Sequence, residues 1–106
     1  MIFIESLTFD RYREKYLTDD EFKDLQILLL KQPEAGNVIK GTKGLRKIRW
    51  ATGNKGKRGG ARIIYYWNRN KEQVYLATIY VKSEIKDLTS NEKKLLTKMV
   101  EEWEHG

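Results

Sequence analysis

The sequence has no cysteine, which excludes a disulfide scaffold, thiolate chemistry and a cysteine-ligated zinc. It has a single histidine, His105, next to last in the chain, where termini fray. A histidine-based metal site and a Ser-His-Asp triad are therefore excluded in practice, and His105 reads as a tail residue. No aliphatic run is longer than Ile27–Leu30, far short of the roughly 20 residues a membrane-spanning helix needs. Met1-Ile2-Phe3-Ile4-Glu5 lacks both the basic start and the long apolar run of a signal peptide. The expectation is a cytoplasmic protein without a metal or other cofactor.

Acid is missing too, but only locally. The chain of 106 residues carries 21 Lys and Arg against 15 Asp and Glu, a net +6. Between Ala35 and Lys71 there is no acid at all, while eleven cations fall there. The rest of the chain sums to −5, so a mildly acidic body carries a segment of +11. A segment without internal counter-ions repels itself unless a polyanion screens it, and nucleic acid is the natural partner. A solvated basic face is the plainer alternative, but such faces usually have acids interspersed. With 40% apolar and 34% charged residues, the length fits one soluble domain with one core.

Local patterns give the elements. Residues 2–5 read as a short strand. Phe9, Tyr12 and Tyr16 recur at helical spacing over residues 8–16. Thr18-Asp19-Asp20-Glu21 is a capping box, opening a helix with Phe22, Leu25, Leu28 and Leu29 on one face, widened by Ile27 and Leu30. That helix ends before Pro33, which pushes its predecessor out of helical conformation. The two helices are expected to form an antiparallel hairpin. Ala35–Gly44 reads as a loop. Leu45–Ala51 alternates Lys47 and Arg49 with Ile48 and Trp50, the pattern of a half-buried strand. Thr52–Gly60 (TGNKGKRGG) reads as a flexible tip, Arg62–Trp67 as a central strand and Gln73–Lys82 as another. Thr89-Ser90-Asn91-Glu92 repeats the capping box before a helix with Leu95, Leu96, Met99, Val100 and Trp103 as its stripe. The expected class is α+β: an antiparallel meander with the early strand at its edge and helices packed against it.

Lys47 and Arg49 share a strand face, Arg62 lies on the adjacent strand, and Tyr80 and Lys82 share a face on the third. A meander brings these five together, with Glu84 the nearest carboxylate in sequence. Cations of this kind hold a phosphate. RNA supplies its own nucleophile, the 2′-OH, which attacks the adjacent phosphorus to leave a cyclic phosphate and a free 5′-OH. The protein then has only to align the sugar, stabilise charge on the phosphorane and move protons. A lysine, Tyr80 or Glu84 can serve for the protons. Arg46, Lys55, Lys57 and Arg58 are expected to contact RNA backbone by charge. Tyr80 has a second reading as a packed tyrosine with its hydroxyl at the surface. Tyr65, Tyr66, Trp67 and Trp50 read as core. The glycines of the tip form no dinucleotide fingerprint, because no helix follows them.

The block GLRKIRWATGNKGKRGGARIIYYW, followed by LATIYVKSEIKDLTSNE, resembles the RelE/ParE superfamily of toxins from type II toxin–antitoxin pairs, most closely the HigB-like branch, over nearly the whole chain. The resemblance implies a small ribosome-dependent endoribonuclease, an mRNA interferase, that enters the A site and cuts translated mRNA by the 2′-OH route. It also implies a cognate antitoxin, often with a helix-turn-helix domain. The family's basic pair on the second strand falls on Lys47 and Arg49, its transition-state arginine on Arg62, and the basic residue after the fourth strand on Lys82. Some members carry an arginine directly after that lysine and a tyrosine near the C-terminus. Here Ser83 takes the first place and the final helix has no tyrosine, leaving Tyr80 or Glu84 for that role. The same fold also hosts ParE-type gyrase inhibitors, and a non-catalytic RNA-binding module is a third reading.

Overall fold

The computed structural model describes residues 1–50, 60–81 and 87–105. The chain runs β1 (Ile2–Glu5), α1 (Leu7–Tyr16), α2 (Asp19–Lys31), β2 (Asn37–Val38), β3 (Leu45–Trp50), β4 (Ala61–Asn68), β5 (Gln73–Val81) and α3 (Ser90–His105). The strands form one sheet in the order β1-β5-β4-β3-β2. β1 runs parallel to β5, and the other pairs are antiparallel. The meander and the early edge strand are as the sequence predicts. The two-residue β2 is not: Asn37 and Val38 pair with Lys47 and Arg46, giving the predicted loop a place at the opposite edge of the sheet.

Each helix starts where a side chain satisfies the free N–H groups of its first turn. The Ser6 hydroxyl accepts from the Phe9 N–H at 3.0 Å and donates to the Ala77 carbonyl at 2.6 Å, tying the start of α1 to β5. Thr18 and Glu21 cap α2 reciprocally, at 3.1 and 2.8 Å. Thr89 and Glu92 do the same for α3, at the same distances. α2 stops at Lys31, two residues ahead of Pro33.

The sheet is covered on both faces. On the first, Phe9, Leu17, Leu25 and Leu29 of the α1–α2 region join one core with Ile48, Ile63, Tyr65, Leu76 and Ile79. Phe22 meets Phe9 ring to ring at 5.7 Å and carries the Arg13 guanidinium over its face. On the second, α3 lays Leu96 and Val100 on Leu45, Ile64, Ala77 and Tyr80. The Trp103 ring stacks on Tyr75 at 4.3 Å, and the Tyr66 hydroxyl donates to Glu104 at 2.5 Å. The apolar stripes are narrower than the sequence suggests. Leu95 is 64% exposed, and Ile27 and Leu30 also face solvent, because each lies beyond the edge of the face its helix buries. No helix among the described residues is long and apolar enough to cross a membrane.

One irregularity sets which face the end of β5 presents. Ile64 pairs with Thr78 but Tyr65 pairs with Leu76, so Ala77 is an extra residue in β5. Such a bulge breaks strict alternation. Val74 and Leu76 belong to the first core, and after the bulge it is Ile79, not Thr78, that joins them. Tyr80 is thereby turned to the second face.

Candidate functional site

β3, β4 and β5 place Arg49, Arg62 and Tyr80 directly opposite one another in a row across the sheet. The next row is Lys47, Ile64 and Thr78. Directly opposed residues share a face with Cβ atoms about 5 Å apart, and like charges at such positions are unfavourable. The Arg49–Arg62 pairing therefore works against the fold unless an anion lies between the two guanidinium groups. Beside the α3 end of this face is a cavity of about 500 Å3, lined by Lys47, Arg49, Arg62, Asp87, Asn37, Ala35 and Ile48.

Arg62 is the residue that sets the character of the cavity. It is only 7% exposed, yet it has no ion pair and no hydrogen bond among the described residues. A buried charge is costly unless it is paired. Arg49 is exposed and Lys47 half-buried. The Lys47 ammonium lies 3.7 Å from Asp87, the one carboxylate lining this cavity among the described residues.

Tyr80 stands in the same row but is differently placed. It is 3% exposed, and its hydroxyl is buried without a hydrogen-bond partner among the described residues. The expected surface hydroxyl is thus not found, because α3 covers this part of β5. Tyr80 lines a second, mostly apolar cavity of about 540 Å3 between α1, β5 and α3. Burial raises its pKa first and the Asp87 charge adds to this, while Arg62 opposes both. At neutral pH the phenol keeps its proton, so it is equipped to donate rather than to accept.

Arg46 points the other way from Lys47, as neighbours on a strand do. Its guanidinium donates to the carbonyls of Glu34 at 3.2 Å and Gly36 at 2.8 Å, and lies 3.7 Å from the Glu34 carboxylate. Those contacts fix the segment that brings Ala35 and Asn37 to the cavity wall. Tyr65 holds the same segment from beneath. Its hydroxyl donates to the Pro33 carbonyl at 2.8 Å and accepts from the Gly36 N–H at 2.9 Å. A Cβ at Gly36 would stand 2.9 Å from the Tyr65 ring and 3.0 Å from the Lys47 carbonyl, so only glycine fits.

The structure thus brings together Lys47, Arg49 and Arg62, with Tyr80 in their row. Lys55, Lys57, Arg58, Lys82 and Glu84 lie outside the described residues. The sequence reading missed Asp87. Its position just ahead of the Thr89 capping box marked it as fixed near a helix start, but nothing local tied it to Lys47.

The arrangement has relatives among solved structures. A chain from the intact E. coli RelBE toxin–antitoxin complex matches with a TM-score of 0.58 at 16% identity, covering 74% of this chain and 92% of its own length. The free-state structure of a mutant E. coli toxin RelE matches with a TM-score of 0.55 at 18% identity, covering 80% of this chain and 86% of its own. The fold is RelE-like. No family model matches the chain. In both RelE comparisons most of the other chain is spanned.

Proposed function

We propose that this chain is the toxin of a type II toxin–antitoxin pair, of the HigB-like branch of the RelE superfamily, and acts as a ribosome-dependent mRNA endoribonuclease. The observation that carries the proposal is Arg62, a buried cation without a counter-ion among the described residues, set opposite Arg49 and beside Lys47 in one cavity. A phosphodiester is the ligand this cluster fits. Two guanidinium groups match the non-bridging oxygens and gain strength as negative charge builds on the phosphorane. The RelE-like fold and the sequence block around these residues support the same reading.

In this reading the ribose 2′-OH attacks the neighbouring phosphorus and the 5′-oxygen leaves. Arg62 and Arg49 hold the phosphoryl oxygens, and Lys47 stabilises the same charge. Lys82 and Glu84 are the candidates for proton transfer; the Tyr80 hydroxyl, covered by α3 and lining the neighbouring cavity, is held back from the phosphate. No step needs a metal, since the guanidinium groups supply the positive charge. Lys55, Lys57 and Arg58 add backbone affinity, and the ribosome presents the mRNA; Arg46, expected to join them, is instead engaged by Glu34 and Gly36. A cognate antitoxin, of helix-turn-helix type, is the expected protein partner; one of the RelE-like neighbours was solved as a toxin–antitoxin complex.

The test is primer extension on cellular mRNA after inducing the chain in growing bacteria, with Arg62→Gln as the comparison. Discrete cuts inside translated codons that vanish in the variant support the proposal. DNA damage with intact mRNA would replace it with ParE-type gyrase inhibition. Binding to RNA with neither outcome would leave a non-catalytic RNA-binding module.

A further inference from the structure

Asp87 has no place in the reaction just described, yet it faces the middle of its apparatus. Among the described residues it is the one carboxylate lining the basic cavity, 3.7 Å from the Lys47 ammonium. It is also mounted firmly. Its Oδ1 accepts from the Leu88 N–H at 2.8 Å, and Thr89, the cap of α3, follows directly. Its side chain is 68% exposed and that of Lys47 36%. The pair therefore lies at the cavity mouth, where an ion pair is weak and exchanges readily.

We propose that Asp87 is a resident counter-ion, holding Lys47 in the free protein and giving it up when a phosphodiester enters the cavity. This rests on the reading of the cavity as a phosphate site. Among the described residues, the groups that face Asp87 are Lys47 on β3, Lys93 of α3, the backbone N–H of Leu88 just ahead of the Thr89 cap, and Tyr80 on β5. Among these the surplus is positive. The Leu88 N–H first, and then the Lys47 and Lys93 charges, hold the Asp87 carboxyl below the usual carboxylate range. A carboxylate so stabilised is a poor base, so its role is to compete with the ligand rather than to take its proton. Competition of this kind weakens the hold on phosphate backbone generally. A strand that engages several phosphates together displaces the carboxylate more readily than an isolated phosphate does.

The proposal predicts a gain of binding on mutation. The probe is a fluorescent single-stranded 2′-deoxy oligonucleotide, which lacks the nucleophile and is not cut. Its affinity is read by anisotropy over a range of salt. Asp87→Asn keeps the acceptor for the Leu88 N–H and removes the charge. It should bind about two- to five-fold more tightly than the wild type at low salt, the measure of an exposed ion pair. Its log–log salt slope should steepen by about 0.7, one further phosphate neutralised on a single strand. Glu14→Gln, on exposed α1, removes the same charge away from the cavity and should change neither quantity appreciably. In a Lys47→Met background the effect of Asp87→Asn should vanish. Asp87→Ser serves as a second variant if the first is poorly folded.

Equal or weaker binding by Asp87→Asn, an unchanged slope, or an equal gain in Glu14→Gln would overturn the proposal. So would persistence of the gain in the Lys47→Met background. The outcome is separable from that of the function proposed above. Absent mRNA cleavage with a gain of binding here would overturn the nuclease and keep the counter-ion. Cleavage without that gain would do the reverse.

Discussion

Replacing Arg62 by methionine separates what the residue does for the fold from what it does for a ligand. The side chain is 7% exposed and lacks an ion pair among the described residues, and it faces Arg49 across the β3–β4 pair. Desolvation of an ion in a protein interior costs several kcal/mol after relaxation. Part of that cost is relieved here because the guanidinium opens into the cavity. Methionine keeps the apolar stem and removes the charge. The expected result is a gain in stability of about 1–2 kcal/mol, which for a domain of this size raises Tm by about 5–10 °C. The assay is thermal and urea denaturation followed by circular dichroism at pH 7 and low ionic strength. Added sulfate should stabilise the wild type more than Arg62→Met, since a ligand of the folded state raises stability by mass action. Ribosome-dependent cutting should fall by about 100- to 1,000-fold, the usual effect of removing a donor aimed at developing charge. A variant that is less stable than wild type by more than about 1 kcal/mol, while cutting mRNA at the wild-type rate, would refute the reasoning on both counts.

Two further outcomes follow from the structure. Tyr65→Phe removes the hydroxyl that serves Pro33 and Gly36 and leaves a buried donor and acceptor unpaired; a loss of about 2 kcal/mol is expected in urea melts. Above pH 10 the fold should weaken through Tyr66, whose pKa is pushed up to about 12, chiefly by burial and then by its hydrogen bond to Glu104. The unfolded chain releases that proton near pH 10 while the folded chain holds it, so the contribution is complete below pH 10 and is lost as pH rises to about 12. Stability of Tyr66→Phe should fall less steeply than that of wild type over this window.

The elements were legible because their causes are local. Two capping boxes, at Thr18 and Thr89, and a proline at position 33 set helix ends through contacts between residues three apart or fewer. Alternation over Leu45–Trp50 put Lys47 and Arg49 on one face without reference to the rest of the chain. The acid-free composition between Ala35 and Lys71 marked the stretch that supplies the cavity with Lys47, Arg49 and Arg62. The facing of Tyr80 was not legible in the same way. Plain alternation from Leu76 would send Tyr80 into the α1–α2 core, and only the extra residue at Ala77 turns it toward Arg62. That bulge follows from how β5 fits β4, not from any pattern within β5.

The sequence by itself determined the order and extent of most elements, the α+β class and the cations on offer, since each depends on neighbours a few positions away. Tertiary structure alone decided that Arg62 is buried without a counter-ion among the described residues, that Asp87 reaches Lys47 forty residues earlier, and that α3 closes over the Tyr80 hydroxyl. Burial and charge pairing are properties of what the rest of the chain brings alongside a residue, and no spacing within a segment encodes them.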